Sequence, residues 1–333
     1  MYAYTARHIR NNLRIDVYGH IRTHKDTHMK KLIIPIIILL VLVIAAPAVT
    51  IVSYIPTYEA EKAREEAIAK EKARLEQLQA EAEYIPEYDG KNAEKIPILT
   101  YHMLVPSDDT KHQNKPGASL FIRQSVFEEQ MKYLYDNGYR TIGTKEMYLW
   151  HRGEIKLPPK SVMITFDDGS YSIAKFALPV LQKYGQRATI FSIGIGAIKE
   201  TTDTTPTEKG NYESMGTDQR TKIRNTYPKL EFQGHTFDLH GEKNGKPLLR
   251  VSSVEEMTND FIKMREVIDC DVMAYPYGAY NKKTIKAAKA AGVKMAFTYG
   301  ENDYATRDQS IYELRRIKIS ANAALDKFTR WLQ

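Results

Sequence analysis

Two carboxylates stand side by side at Asp167 and Asp168, within Thr165-Phe166-Asp167-Asp168-Gly169. They follow Ser161-Val162-Met163-Ile164, an apolar, β-rich run of the kind that forms a buried strand. Neighbouring strand residues face opposite ways, but a chain that turns at the strand's end can bring both carboxylates to one pocket. Paired anions raise one pKa unless a cation lies between them, and a divalent metal is the simplest such cation. The alternative is an ordinary strand-end turn, which Asp-Gly favours. Downstream, His235 and His240 are the only histidines after residue 152. Both fall in Gly234-His235-Thr236-Phe237-Asp238-Leu239-His240, just after the strand-like Leu230-Glu231-Phe232. One carboxylate plus two imidazoles leaves open positions on Zn²⁺, the arrangement of a catalytic site. Cysteine occurs once, at Cys270, so neither an intramolecular disulfide nor a cysteine-based zinc site is possible. On its helical pattern Cys270 reads as a core thiol.

The elements around these residues alternate. Ile96 to His102 reads as a strand. Phe127, Met131 and Leu134 keep helical spacing, with Gly138 placed as a C-cap. Tyr139 to Ile142 follows as a strand and Lys145 to Arg152 as a helix. After the carboxylate strand come a helix over 171–184 and a strand from Ala188 to Ile193. Thr201 to Lys222 is polar and reads as an exposed insertion. Then follow a helix from Val254 to Cys270, a strand from Val272 to Tyr275, a helix from Asn281 to Ala291 and a strand from Val293 to Thr298. Strands that alternate with helices give a parallel α/β fold, open or closed into a barrel, whose sites lie at the strands' C-terminal ends.

Thr165-Phe166-Asp167-Asp168-Gly169, His235-Thr236-x-x-x-His240 and Tyr275-Pro276-Tyr277-Gly278, in that order, resemble the first three motifs of the polysaccharide deacetylases, carbohydrate esterase family 4. Tyr101-His102 and Phe127-x-x-Gln130-Met131-x-x-Leu134 resemble it too, and the likeness spans about residues 96–320. It implies an α/β fold, a distorted (β/α) barrel with a groove over the strand C-termini, for a catalytic domain at 96–333. It also implies that Asp168, His235 and His240 hold a divalent metal, zinc by preference. Asp167 would be the general base, and the Tyr277 backbone N–H would help bind the oxyanion. Three departures stand out. The histidines are five apart where many members have four, with Leu239 at the expected position; the wider spacing is similar to the subgroup acting on poly-N-acetylglucosamine. The arginine that often precedes the third motif is missing, which leaves Asp167 without its usual partner. Leu314-Arg315-Arg316-Ile317-Lys318-Ile319-Ser320 stands where a C-terminal histidine is expected, so the acid for the leaving amine is unassigned: water, Asp167 acting twice, or a residue from elsewhere such as His102. Tyr277, Tyr280 and Trp150 offer aromatic faces for sugar rings, and His102 joins them as a groove residue.

The N-terminal part is of another kind. Residues 1–31 carry seven Lys/Arg and two Asp, so five of the net +7 belongs to this flank. That leaves the main domain near balance and argues against a nucleic-acid groove. Met29-Lys30-Lys31 would serve as an alternative start. Leu32 to Val52 is 21 residues with Thr50 its one conventional polar side chain, long enough to cross a bilayer as a helix. The basic flank before it would stay in the cytoplasm. The competing reading is a cleaved signal peptide with Ala46-Pro47-Ala48 as the cleavage site. Residues 53–95 read as a charged helical stalk and linker, rich in strong helix formers from Glu59 to Glu83. The whole reads as a membrane-anchored N-deacetylase of an extracellular N-acetylglucosamine polymer. The rival readings are an O-acetyl esterase acting on xylan or another glycan, and a surface glycan-binding module whose catalysis has lapsed.

Overall fold

A computed structural model of the chain describes residues 59–112, 117–199, 212–300, 303–321 and 323–333. Leu32 to Val52 lies outside them, and no helix among the described residues is long and apolar enough to cross a membrane. The chain divides into two compact units, residues 1–73 and 74–333. In the first, residues 59–73 are helical; the second opens on helical residues 74–83 and contains everything below.

Eight parallel strands build the main sheet: β1 (Ile98–Tyr101), β2 (Arg140–Ile142), β3 (Ser161–Phe166), β4 (Ala188–Ser192), β5 (Leu230–Gly234), β6 (Val272–Ala274), β7 (Met295–Phe297) and β8 (Ile317–Lys318). Their order is β7-β6-β5-β4-β3-β1-β8, with β2 pairing along the first half of β3. A parallel bridge between Phe297 and Leu314 brings β7 back to the segment entering β8, so the sheet curls round on itself. Every residue of β3 and β4 is buried, as strands covered on both faces must be. The twofold alternation sorts their side chains. Met163, Phe191, Met295 and Phe297 fill the sheet's inner side, while Val162, Ile164, Phe166 and Ile190 pack outward.

The main helices around the sheet are α1 (Gln124–Asp136), α2 (Thr144–Arg152), α3 (Leu178–Tyr184), α4 (Thr217–Thr226), α5 (Val254–Ile268), α6 (Lys282–Ala290) and α7 (Leu325–Arg330); α2 turns Met147 and Trp150 to the inner cluster, and the others pack against the outer one. Their ends follow local chemistry. Ser253 and Glu256 form a capping box at α5, which satisfies N–H groups that the first turn leaves unpaired. Asn281 accepts from the N–H groups of Lys283 and Thr284 at α6. The 171–184 helix is broken into a π-turn, Ile173–Ala177, and then α3. Pro179 lies in the first turn of α3, directly after the π-turn.

Two sequence expectations are corrected. Residues 217–222 are not exposed insertion but the start of α4, whose Arg220 and Ile223 are buried. Arg220 donates to the carbonyls of Ala197 and Val267. Trp150 is not a sugar platform. It is fully buried in the inner cluster with Ile96, Ile142 and Leu157, and its Nε1 donates to the Ala93 carbonyl. Ala93 in turn pairs with Leu157 just ahead of β3, so Trp150 closes the end where the strands begin. Helical spacing on α2 leaves its face undecided; the segment folded over it decides.

Candidate metal and catalytic site

The alternation along β3 that points Met163 and Thr165 inward also points Asp167 inward. Asp167 is 2% exposed, and its carboxylate accepts a two-pronged pair of bonds from Arg316, Nη1 to Oδ1 at 2.7 Å and Nη2 to Oδ2 at 2.8 Å. Arg316 is itself fully buried, and its Nε donates to the Thr298 carbonyl. A fork of this geometry suits a guanidinium and not an ammonium. Burial pulls the Asp167 carboxyl upward, yet the Arg316 charge, with help from His235 and His102, prevails and holds it below its ordinary value. The expectation that Asp167 lacks its arginine is therefore corrected. The partner comes from the segment entering β8, 149 residues along the chain, in the stretch where a histidine was sought.

Asp168 turns the other way. Its φ of 71° and the 75° of Gly169 form a left-handed pair at the strand end. A side chain at Gly169 would lie 3.1 Å from Ser192 Cα, so glycine is needed for the turn to pass β4. The turn sends the Asp168 carboxylate to two imidazoles. His235 Nε2 lies 3.6 Å and His240 Nε2 3.3 Å from Asp168 Oδ1. Burial opposes ionisation of Asp168, but the His240 hydrogen bond and the charges of His102, His235 and His240 hold it well below the carboxylate range.

His235 follows β5 and is 2% exposed. Its Nδ1 is 2.9 Å from the Ala274 carbonyl, so Nδ1 carries the proton and Nε2 keeps its lone pair. Burial pushes its pKa down to about 4, which keeps the ring neutral. His240 sits at the end of a loop that Asp260 of α5 gathers in. The Asp260 carboxylate accepts from the N–H groups of Phe237, Asp238 and Leu239. Within that loop Leu239 packs against the outer core cluster, and the next residue, His240, is turned back to Asp168. The five-residue spacing thus has a reason: one position is used for anchoring. Burial lowers His240, but its hydrogen bond to Asp168 outweighs this and raises it.

The three donor atoms lie within 4.8 Å of one another. Two donors at ~2.1 Å from a tetrahedral ion stand about 3.4 Å apart, close to both Nε2–Oδ1 separations. Two imidazole lone pairs and one carboxylate therefore fit a divalent ion, and this is the one such group among the described residues.

Tyr277 and His102 flank the group. Tyr277 lies in the turn after β6 with φ 57°, its ring 4.8 Å from that of His240 and 49% exposed. Tyr280 stacks one face on Tyr275 at 5.2 Å. His102, just past β1, is half-buried, acts electrostatically on both carboxylates, and meets the edge of Tyr299 at 5.4 Å. Tyr299 itself was not foreseen. Its hydroxyl is buried without a hydrogen-bond partner among the described residues, and burial, then Asp167, pushes its pKa up to about 12. Arg316, Asp260 and Tyr299 carry no local motif. An inward-facing arginine among apolar residues near the last strand was the one signal available for any of them.

Residues 154–296 match the family described as polysaccharide deacetylase. The Bacillus subtilis (strain 168) protein YxkH is 34% identical over 242 residues, which cover 72% of this chain and 76% of that one. The poly-β-1,6-N-acetyl-D-glucosamine N-deacetylase of Staphylococcus aureus (strain MSSA476) is 31% identical over 219 residues, 63% of this chain and 71% of that one. Among solved structures, the Streptococcus pyogenes deacetylase PplD in complex with acetate superposes with a TM-score of 0.61 at 23% identity, over 73% of this chain and 100% of that one. IcaB from Ammonifex degensii gives 0.57 at 23%, over 73% and 98%. At that identity the two structures bear on the fold alone.

Proposed function

Since the chain belongs to the polysaccharide deacetylase family, we propose that its site removes N-acetyl groups from a β-1,6-linked N-acetylglucosamine polymer outside the cell, using zinc held by Asp168, His235 and His240. The strongest support is the placement of a buried, arginine-paired carboxylate, Asp167, immediately beside a three-donor metal group. A bound divalent ion supplies Lewis acidity and brings the pKa of water towards about 7. The chain's own residues do the rest. Asp167, ionised at neutral pH, takes the proton of the attacking water as the oxygen–carbon bond forms. The Tyr277 backbone N–H faces the developing oxyanion. As the carbon–nitrogen bond breaks, the proton that Asp167 took passes to the leaving amine, directly or relayed through His102 at the groove's rim. The products are acetate and a free amino sugar. The five-residue histidine spacing and the staphylococcal relative support the choice of polymer.

The lapsed-binder reading rests on the missing arginine and the missing C-terminal histidine. Arg316 fills the arginine's role from the segment entering β8, which removes the first of these. Acetate release should be measured on poly-β-1,6-N-acetylglucosamine, chitin oligomers and acetylated xylan, with chelator and with zinc restored. Release from the first, abolished by chelation and recovered with zinc, is expected. Release from xylan alone would move the enzyme to O-acetyl esters. Retention of the glycans with no acetate in the presence of zinc would make the protein a binder.

A further inference from the structure

Tyr277 holds a backbone conformation that a bulky residue avoids, with φ 57° and ψ 11°. A non-glycine residue kept in this region is strained and persists only where its surroundings hold it. Gly278 beside it is also left-handed, at φ 64°, and a Cβ there would lie 2.4 Å from the Tyr299 carbonyl oxygen, so the turn passes close against Tyr299 and needs glycine at that position. The strained turn places the Tyr277 ring over His240 and its hydroxyl 3.3 Å from His240 Nδ1.

Metal-binding histidines donate their second ring N–H to an acceptor, which fixes tautomer and direction. For His235 that acceptor is the Ala274 carbonyl in the buried interior. For His240 the position is taken by a hydroxyl on a half-exposed side chain. We propose that Tyr277 is the positioning residue for His240. Its oxygen accepts from Nδ1–H, leaving the Nε2 lone pair directed at the metal. This rests on the metal site proposed above. The two imidazoles are then held unequally: His235 by rigid backbone, His240 by a side chain in the substrate groove. The competing acceptor is His240's own carbonyl, which also acts on the ring.

Tyr277→Phe keeps the ring and its packing and removes only the acceptor. Zinc affinity of the full chain should be measured by competition with a chromophoric chelator for the unaltered protein, Tyr277→Phe and His240→Ala. The expected result is about tenfold weaker zinc binding in Tyr277→Phe, the low end of the range for such partners because water can reach the site. The melting temperature of the metal-free protein should be unchanged, which a merely structural role would not give. In the zinc-loaded protein, the His240 Nδ1–H signal in a long-range ¹H–¹⁵N spectrum should exchange faster in the variant. Zinc affinity within twofold of the unaltered protein would overturn the proposal and assign the role to His240's own carbonyl, with the metal site intact. If the unaltered protein binds no zinc, or His240→Ala binds it normally, the metal site and the role of Tyr277 fall together.

Discussion

At the scale of single residues, the site turns on Arg316. A carboxylate 2% exposed would on burial alone be pushed towards its protonated form, useless as a base at neutral pH. The guanidinium reverses this. The acidic limb of the rate profile follows the base's pKa, because the base must be ionised to act. Arg316→Met removes the largest influence opposing burial and leaves only His235 and His102 against it, so that pKa rises and the acidic limb should move to higher pH. Removing one member of a buried pair also costs about 3–5 kcal/mol, visible as a lower melting temperature. Asp167→Asn should keep zinc and lose about 10²–10⁴-fold in turnover. An acidic limb that stays put in Arg316→Met would show that Asp167 is not the group that titrates.

At the scale of elements, strands set the direction of side chains and helices hold the loops still. β3 aims Asp167 inward and the turn after it aims Asp168 across. The loop from Phe237 to Leu239 has no ladder of its own; α5 supplies Asp260 as a common acceptor for three of its N–H groups. Asp260→Ala should free that loop and with it His240. Weaker zinc binding by about tenfold or more is expected, since outer partners of metal ligands commonly contribute 10–100-fold. The far-UV circular dichroism should be unchanged, because the sheet does not depend on this contact. Undiminished zinc affinity in that variant would mean that the loop is held by the packing of Phe237 and Leu239 and by the Ile195 N–H bond to the Phe237 carbonyl.

At the scale of the whole molecule, we propose that Leu32 to Val52 anchors the chain with its catalytic domain outside the cell. A 21-residue apolar run after a basic flank has the length and the charge asymmetry for this. The full chain should sediment with membranes and resist alkaline extraction, and protease added to intact cells should remove the catalytic domain. A soluble form beginning near Val49 would mean that the segment is a cleaved signal instead. A chain protected from protease in intact cells would reverse the orientation.

The residues that chemistry singles out were legible in the sequence wherever the pattern is local. Asp167 and Asp168 are adjacent at the end of an apolar run, His235 and His240 share one loop, and Pro276-Tyr277-Gly278 is contiguous. The alternation of strand and helix was legible for the same reason, since hydrophobic periodicity is a property of short windows. What the tertiary structure decided involves partners far apart along the chain. Arg316 reaches Asp167 across 149 positions because β8 lies beside β1, which lies beside β3. Asp260 reaches the histidine loop across 21 to 23 positions. Trp150 shows the converse. A helix pattern marks an apolar face without saying what will cover it, and the Ala93 segment covered this one. Residue type and local period determined which groups could react and which elements carry them; the curl of the sheet determined which of those groups meet.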